Sequence, residues 1–440
     1  MPKLMLIQPS QYSATGRLIK QKKLYMPGLV FPLLAAMTPP QWEIDARIEI
    51  LDDIDLETDA DLIGIGAMGH AFVRALELAA EFRKRGKTVF MGGYQTSLTP
   101  AQALPHVDGV VIGDAEISYP LLLRDFERTG RIERVYDHPV SDLSGLPVPK
   151  YEILTAKSIG PMLPVQAARG CPHTCSFCSI YCLYRGRYLV RPLDEVMRDI
   201  RRVRELGCRA FYLIDDNIAG NPGYLEELCR RIAPMKMKWA TQCTMTLARN
   251  PRLLDLVARS GCRILSLGVE GVTQEGLNRL GKSWLKVADH ARLLRAFREA
   301  GIMVSAEMMV GTDSDTEESL RETYRFITRT KLPLLRIYMM TPIPGSPLYE
   351  EYRAAGKLIH EDLTQYTTAK CVHYPERIAP DKLTEMYRWL NRRVFSLSHI
   401  VRRTLLNPGM LRRPLRHLEA FAVNLHYRRS VRRGDAPLIV

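Results

Sequence analysis

Four of the chain's 9 cysteines lie close together in the stretch ARGCPHTCSFCSIYCLYRGR, residues 168–187. Cys171, Cys175 and Cys178 have the spacing C-x3-C-x2-C. Thiolates this close in a flexible loop can wrap an iron–sulfur cluster, because cysteine is the usual ligand of such clusters. Three ligands leave one iron of a [4Fe–4S] cube without a protein donor, and an open iron position is a place to bind a substrate. The spacing therefore predicts a metal site formed by these three cysteines.

Zinc is the competing interpretation of the same thiols. A structural zinc site needs four ligands, often in two separated pairs, and Cys182 could supply the fourth. We favour a buried, inert Cys182 that binds no metal. We expect a cytoplasmic protein, and in that reducing compartment clustered cysteines are more often metal ligands or catalytic groups than disulfides.

The cysteine loop directly follows the first strand of a series in which strands alternate with amphipathic helices. Strands are predicted at residues 163–170, 210–217, 238–244, 263–271, 302–311 and 334–341. Helix-period segments lie between them, for example residues 192–207, with Leu193, Val196 and Ile200 on one side. Six such units predict an incomplete parallel barrel, in which the chemistry belongs at the C-terminal mouth. The cysteine loop is therefore predicted at this mouth.

An earlier alternating series occupies the first 130 residues and predicts a small doubly wound parallel sheet. Its strands are predicted at residues 3–9, 47–53, 61–68, 88–95 and 109–116, and its clearest helix at residues 71–86. Ligands of such folds bind at the carboxyl ends of the strands, which here carry glycine and small polar residues. Turn geometry would explain any single glycine, but the succession of such ends predicts a ligand crevice.

The rest of the chain divides around these two series. Residues 138–160, rich in Pro, Ser and Asp, predict a linker. Helical spacing of apolar residues at 381–406 predicts a helical C-terminal region. The predicted domains are therefore residues 1–137, the linker 138–160, the barrel 161–345 and the C-terminal region 346–440.

The net charge of +14 is concentrated near the C-terminus. Residues 391–440 contain Glu419, Asp435 and eleven arginines, at positions 392, 393, 402, 403, 412, 413, 416, 428, 429, 432 and 433. Such an excess points to an anionic partner, either a phospholipid surface or nucleic acid. The alternative is a solvated helical face that packs on the barrel. The sequence has no apolar run of the length that spans a membrane.

The loop C-P-H-T-C-S-F-C (171–178) resembles the cluster loop of the radical S-adenosylmethionine (SAM) enzymes, including the aromatic Phe177 before the third cysteine. The resemblance implies a partial (β/α)6 barrel and a [4Fe–4S] cluster whose open iron is chelated by SAM. It also implies reductive cleavage of SAM to methionine and a 5′-deoxyadenosyl radical, which takes a hydrogen atom from the substrate. In such chemistry the protein supplies orientation and excludes water.

The same resemblance implies where SAM is bound. Phe177 is one implied SAM contact. The others are Asp215 and Asp216 (with Asn217) for the amino group, Glu270 for the ribose, and Gly311 in MMVGTDSDT for the adenine. Each of these residues has an alternative role in a solvated loop or a helix cap. Asp315 and Thr316 in the same segment have the character of helix caps.

The N-terminal series resembles the Rossmann-like cobalamin-binding domain that precedes the barrel in one large class of radical SAM enzymes. The resemblance rests on the stretches PGLVFPLLAAM, ADLIGIGAM, VFMGGYQTSLTPAQAL and DGVVIGDAEISYPLLLRDF. It implies cobalamin contacts at Met68, Gly92, Gly93, Gln95, Gly113 and Glu116. One departure is the absence of D-x-H-x-x-G, whose His ligates cobalt in other cobalamin proteins; Gln95 stands where His is common in this class.

These resemblances predict a cobalamin-dependent radical SAM C-methyltransferase acting on an unactivated carbon of a lipid-like or other hydrophobic natural product. An oxidative cyclase or a ring-rearranging enzyme in tetrapyrrole or secondary metabolism is the alternative. The chain as a whole resembles the class B radical SAM enzymes, the group of the hopanoid methylases and the anaerobic tetrapyrrole cyclases. The expected partners are a one-electron donor such as flavodoxin or ferredoxin and a peripheral contact with the inner membrane face through the Arg-rich C-terminus. An RNA-modifying enzyme is not favoured, because no RNA-binding module is evident. A plain electron-transfer protein is not favoured either, because three cysteines leave one iron open.

Overall fold

Two six-stranded parallel sheets organise the chain, and the computed structural model describes residues 1–13 and 15–437. The N-terminal sheet has the strand order β2-β1-β3-β4-β5-β6. Its elements are β1 (Lys3–Gln8), α1 (Val30–Met37), β2 (Glu43–Ile48), β3 (Leu62–Gly66), α2 (Phe72–Lys84), β4 (Thr88–Gly92), α3 (Tyr94–Leu98), α4 (Pro100–Ala103), β5 (Gly109–Ile112), α5 (Ala115–Thr129) and β6 (Val135–Asp137).

Both faces of this sheet are buried, which explains why β1 reads as a continuous apolar run. Leu4 and Leu6 pack with Phe31 of α1 on one face, while Met5 packs with Phe72 of α2 on the other. The predicted doubly wound sheet is therefore confirmed.

The second sheet has the order β14-β13-β12-β11-β10-β7, in which every neighbouring pair is parallel. Its elements are α6 (Glu152–Thr155), β7 (Met162–Val165), β8 (Ala168–Gly170), α7 (Ser179–Tyr184), β9 (Tyr188–Val190), α8 (Leu193–Glu205), β10 (Ala210–Leu213), α9 (Pro222–Ile232), β11 (Lys238–Cys243), α10 (Pro251–Arg259), β12 (Cys262–Glu270), α11 (Gln274–Arg279), α12 (His290–Glu299), β13 (Met303–Val310), α13 (Glu317–Thr330) and β14 (Leu334–Met339). Consecutive parallel strands separated by helices confirm the predicted partial barrel of six units.

Most predicted strands are shorter in the structure, for example β10, which ends at Leu213, and β4, which ends at Gly92; the bounds of three further strands also differ. The segment predicted at 163–170 forms β7 and then β8, because β8 leaves the barrel and pairs antiparallel with β9. The segment predicted at 109–116 ends at Ile112, since Gly113 has φ +73° and α5 begins at Ala115. The segment predicted at 47–53 lies earlier, as β2.

The C-terminal region is helical, as predicted, but the helix expected at 381–406 is interrupted. It consists of α15 (Pro380–Val394) and α16 (Leu397–Arg403), with Ser396 capping α16 by accepting from His399 N. Before it lies α14 (Pro347–Ala354), and after it α17 (Pro414–Arg433). None of the helices in the described residues has the length and apolar character needed to cross a bilayer.

Several of the C-terminal arginines hold these helices to the barrel. Arg403 is 1% exposed and donates to Leu332 O (2.8 Å) and to Asn424 Oδ1 of α17 (2.9 Å). Arg416 of α17 donates to Gly301 O, just before β13 (2.6 Å). Some of these arginines therefore bind other parts of the protein, as expected if the C-terminal helices pack on the barrel.

Candidate active site at the barrel mouth

The cysteine loop (residues 171–178) joins β8 to α7. Cys175 is buried, whereas Cys171 and Cys178 are half-buried. Ser176 N donates to Leu280 O after α11 (3.3 Å), and a backbone N–H in the first turn of α14 donates to Ser176 O (3.1 Å). These two segments hold the loop in place.

The three thiols share one partly buried space with one cation. Burial raises their pKa, to about 12 for Cys175 and about 11 for Cys178, while the Lys282 ammonium acts in the opposite direction on each thiol. Within the described residues no three His, Cys, Asp or Glu side chains are grouped closely enough to hold one metal ion, and the ligands of a cube each bind a different iron. Three soft thiols beside a buried ammonium fit an iron–sulfur cluster, because such a cluster with its thiolate ligands carries negative charge.

Cys182 lies apart from these three thiols in its interactions. It follows Cys178 by one turn of α7, and its Sγ donates back to Cys178 O (3.3 Å). Burial raises the pKa of Cys182, and the nearby charge that opposes this rise is that of Arg185. This geometry supports the prediction that Cys182 is a buried thiol and not a ligand.

Asp215 and Asp216 follow β10 and bind the backbone that leads into the cysteine loop. Asp215 Oδ1 accepts from Ala167 N (2.8 Å), and Asp216 Oδ2 accepts from Gly170 N (2.7 Å). Burial raises the pKa of Asp215 to about 7 and that of Asp216 to about 6. Asp215 Oδ2 is buried with no hydrogen-bond partner in the part of the chain that the structure describes. Such an acceptor suits an amino group.

Asn217 continues this segment and reaches the cluster loop itself. Its Nδ2 donates to Cys171 Sγ (3.5 Å), and its Oδ1 accepts from Thr244 N (3.3 Å). The side chain therefore links the first cysteine to the segment after β11.

Glu270 ends β12 with a left-handed φ of +59°, next to a shift in the register between β12 and β13. Irregularities of this kind re-aim a side chain and are common beside active sites. Glu270 Oε1 accepts from Lys282 Nζ at 2.5 Å, and both side chains are at most 10% exposed. Gly268 makes room for the pair, since a Cβ there would lie 2.5 Å from Glu270 Oε1 and 2.8 Å from Lys282 Nζ.

Lys282, Trp284 and His173 were not predicted from the sequence. The Lys282 ammonium lies 5.8 Å from the ring centres of both Phe177 and Trp284. His173 stacks on Trp284 with ring centres 4.0 Å apart. These contacts join the cysteine loop to a segment about a hundred positions later in the chain. A local sequence pattern does not predict contacts between segments so far apart.

Gly311 ends β13 with φ +103°. Its N–H donates to Asp315 Oδ2 (2.7 Å), and its carbonyl accepts from His373 Nε2 (2.8 Å). Thr316 caps α13 by accepting from Ser319 N, as predicted, whereas Asp315 binds the loop backbone instead. The turn at Gly311 is thus fixed from two sides.

The predicted cobalamin contacts lie at the carboxyl edge of the N-terminal sheet. Met68 follows β3 and is 62% exposed, and Gly93 after β4 and Gly113 after β5 are exposed as well. Gly93 has φ +97°, and a Cβ there would lie 2.6 Å from Ala67 O. Gly92 ends β4 itself.

Residues 64–69, GIGAMG, also show the G-x-G-x-x-G spacing of dinucleotide-binding loops. Here Gly64 lies inside β3, where a Cβ would meet the Phe90 ring at 2.4 Å. The first glycine therefore serves sheet packing and does not form a phosphate-binding turn.

Gln95 and Leu98 of α3 contact the barrel. Gln95 is 2% exposed, and its amide donates to Thr99 Oγ1 (3.1 Å) and to Pro344 O after β14 (3.4 Å). A Cβ at Gly345 would lie 2.9 Å from Leu98 O. The segment after β14 therefore packs tightly against the N-terminal domain.

Glu116, in the first turn of α5, forms part of a second contact between the domains. Arg169 of β8 binds Glu116 Oε1 through Nη2 (2.7 Å) and Asp114 Oδ1 through Nη1 (2.9 Å). Tyr184 of α7 donates to the same Asp114 oxygen (2.8 Å). The carboxyl edges of the two sheets thus face each other, with the cysteine loop at the joint.

Residues 165–327 match the family model of the Radical SAM superfamily. The match covers the cysteine loop and the strands that surround it. Residues 165–327 form a radical SAM domain. The predicted cofactors of the barrel, a [4Fe–4S] cluster and SAM, are those of this superfamily, and the prediction of a radical SAM enzyme is confirmed.

Relatives extend the similarity over nearly the whole enzyme. The chain is 28% identical to the bacteriochlorophyllide d C-8(2)-methyltransferase of Chlorobaculum tepidum, over 86% of this chain and 88% of the relative. It is 26% identical to the C-12(1)-methyltransferase of the same organism over 91% of this chain and 89% of the relative. The anaerobic magnesium-protoporphyrin IX monomethyl ester cyclase of Cereibacter sphaeroides is 33% identical, over 50% of this chain and 36% of the cyclase.

Solved structures share the two-domain fold. The radical SAM methyltransferase TsrM of Kitasatospora setae, solved with cobalamin and a [4Fe–4S] cluster, matches with a TM-score of 0.64 and 17% identity, over 81% of this chain and 78% of TsrM. OxsB, a cobalamin-dependent radical SAM enzyme, matches with a TM-score of 0.68 and 13% identity, over 97% of this chain and 72% of OxsB. The predicted arrangement of a Rossmann-like domain before the barrel is therefore confirmed.

Proposed function

We propose that the enzyme is a cobalamin-dependent radical SAM C-methyltransferase that methylates an unactivated carbon of a hydrophobic natural product, specifically a tetrapyrrole. One observation carries this proposal: the carboxyl edges of the Rossmann-like sheet and of the barrel face each other across the Arg169 contact. A group bound at one edge can then meet a group bound at the other. The names of the two relatives that span most of the chain support methyl transfer and the tetrapyrrole.

The residues present fit both cofactors. Cys171, Cys175 and Cys178 would hold the cluster, and Asp215 Oδ2 is a buried acceptor for the SAM amino group. Cobalamin would lie on the open edge beside Gly93 and Met68, which are both exposed. When bound, the cluster with SAM supplies a hydrogen-abstracting radical, and cobalamin supplies a methyl group.

The protein's own side chains position these groups. Glu270 holds the Lys282 ammonium beside the three thiols, where the cation favours thiolates although the Glu270 carboxylate acts against it at Cys175. Phe177 packs with Met340 and Tyr352, so that an apolar wall lies beside the cysteine loop. Low exposure strengthens each of these electrostatic interactions.

The experiment is a reaction of the anaerobically reconstituted enzyme with deuteriomethyl-SAM, a one-electron donor of the flavodoxin or ferredoxin type, and chlorin substrates. We expect a product heavier by one deuterated methyl group in place of hydrogen, together with 5′-deoxyadenosine. The C178A variant should form neither. Deoxyadenosine with a cyclised product and no added methyl group would instead favour an oxidative cyclase, for which the cyclase relative is the specific support.

We further propose a peripheral contact with anionic lipid at the start of α17. Leu406, Leu411 and Leu415 are 65%, 95% and 73% exposed, and Arg412 lies among them. Exposed leucines flanked by arginines are typical of interfacial helices. Vesicles containing phosphatidylglycerol should co-sediment the enzyme, pure phosphatidylcholine vesicles should not, and L411S/L415S should abolish the difference. Equal sedimentation of both proteins would contradict the contact.

A further inference from the structure

The concave face of the partial barrel is lined by alternate residues of its last three strands. Leu265 and Leu267 of β12 are fully buried under the outer helices, whereas Ser266 and Gly268 are half-buried on the opposite face. The register continues this face across the sheet: Gly268 lies opposite Glu307 of β13, and Glu307 lies opposite Arg336 of β14. These residues therefore form one layer inside the barrel.

Helix α17 closes the barrel below this layer. Its Ala420 and Val423 pack with Met303 and Leu334 at the N-terminal ends of β13 and β14. Glu307 is four positions after Met303, so that the layer lies about 13 Å above this floor at the rise of a β-strand. Above it, the Glu270–Lys282 pair lies over Gly268 at the mouth. The barrel is thus a cup that opens toward the cysteine loop.

Glu307 and Arg336 form an ion pair in the wall of this cup. Arg336 Nε donates to Glu307 Oε2 and Nη2 donates to Glu307 Oε1, both at 2.8 Å. Ser266 Oγ also donates to Glu307 Oε1 (2.8 Å). The side chains of Arg336 and Glu307 remain 23% and 19% exposed. The pair is therefore accessible from the cup.

Glu307 fixes the Arg336 guanidinium but occupies only one of its two hydrogen-bonding edges. Glu307 occupies the edge formed by Nε and Nη2, and Nη1 makes no hydrogen bond to any residue that the structure describes. A guanidinium has a second planar edge, formed by Nη1 and Nη2, that can bind another carboxylate with two parallel hydrogen bonds. The Tyr338 ring, 5.8 Å from the guanidinium carbon, supports it from the mouth side.

We propose that Arg336 determines substrate specificity by binding a carboxylate of the substrate through its Nη1–Nη2 edge. Glu307 and Ser266 hold the guanidinium in position. This inference rests on the proposed function and narrows its substrate class to hydrophobic molecules that carry a free carboxylate. A neutral hydrocarbon skeleton would remove water from the Nη1–Nη2 edge of Arg336 without forming hydrogen bonds to it, and this desolvation would weaken binding.

The test compares two probes that differ in this one group: pheophorbide a, a chlorin with a free carboxylate, and its methyl ester. Their binding to the full-length reconstituted enzyme is followed by chlorin fluorescence, so that turnover is not needed. We expect the acid to bind roughly 10- to 100-fold more tightly than the ester. R336Q should remove the preference, and E307Q, which keeps the arginine, should retain or increase it.

The double variant E307Q/R336Q controls for folding, because it removes both charges together and leaves no unpaired charge. It should bind acid and ester equally. Equal affinities in the unaltered enzyme, a preference that survives in R336Q, or no binding of either probe would overturn the inference. Deuteriomethyl transfer to the ester as fast as to the acid would leave the proposed function standing and remove the inference. A preference for the acid that depends on Arg336, without methyl transfer to either probe, would support the inference and contradict the proposed function.

Discussion

Removal of the Arg169 side chain should weaken the contact between the two domains by a predictable amount. Arg169 pairs with Asp114 (2.9 Å) and Glu116 (2.7 Å), and the three side chains are only 9%, 14% and 9% exposed. Surface ion pairs contribute little to the free energy of unfolding, but these side chains are too buried for that small contribution to apply. The R169M variant leaves two buried carboxylates without a cation, and breaking a buried pair in this way costs about 3–5 kcal/mol.

The same reasoning predicts that the loss can be reversed. In the triple variant D114N/E116Q/R169M no charge is left unpaired, and replacing a whole buried ion group by neutral residues is often nearly neutral. We expect most of the lost stability to return. The exposed Arg187, close by in the turn before β9, provides the matched control R187M, for which we expect a change below about 0.5 kcal/mol.

The assay is urea unfolding of the four purified proteins, followed by intrinsic fluorescence and by limited proteolysis of the linker. R169M should shift the first transition to lower urea and expose the linker to protease, while R187M and the triple variant should resemble the unaltered protein. If R169M unfolds like R187M, or if the triple variant is as unstable as R169M, the two carboxylates are not held by this arginine.

Three further predictions concern the mouth and its support. K282M leaves Glu270 buried without its cation and should lower the iron bound per chain after reconstitution, measured against K286M, an exposed lysine nearby. G268A brings a Cβ to 2.5 Å from Glu270 Oε1 and should slow 5′-deoxyadenosine formation while iron content is retained. Burial lowers the pKa of His373 to about 4, so the unfolded chain binds more protons than the folded chain between pH 6.5 and pH 4. The free energy of unfolding therefore falls as the pH drops below 6.5, and the contribution of neutral His373 is complete only above that pH. By pH 5 the loss from His373 should reach about 2 kcal/mol, and the pH dependence of urea unfolding should be flatter in H373Q by that amount.

The sequence by itself determined the two sheets and the cluster loop. Apolar runs such as that of β1, and alternation with amphipathic helices, specify parallel sheets because both faces must be covered. The spacing of Cys171, Cys175 and Cys178 predicts a metal site, because ligands within one loop need no other element to bring them together. The sequence did not specify the strand ends, since the turn at Gly113 and the departure of β8 from the barrel depend on what each segment packs against.

Only the tertiary structure showed which basic residues lie beside the cysteine loop, between the domains and inside the barrel. Lys282 lies beside the thiols, Arg169 joins the domains, and Arg336 lines the cup, yet each is an unremarkable basic residue among 62 in the sequence. Their roles arise because each charge lies beside a group distant in sequence: Cys175 is 107 positions from Lys282, Glu116 is 53 from Arg169, and Glu307 is 29 from Arg336. Parallel strands joined by crossover helices create such distant pairs, and local sequence patterns carry no record of them.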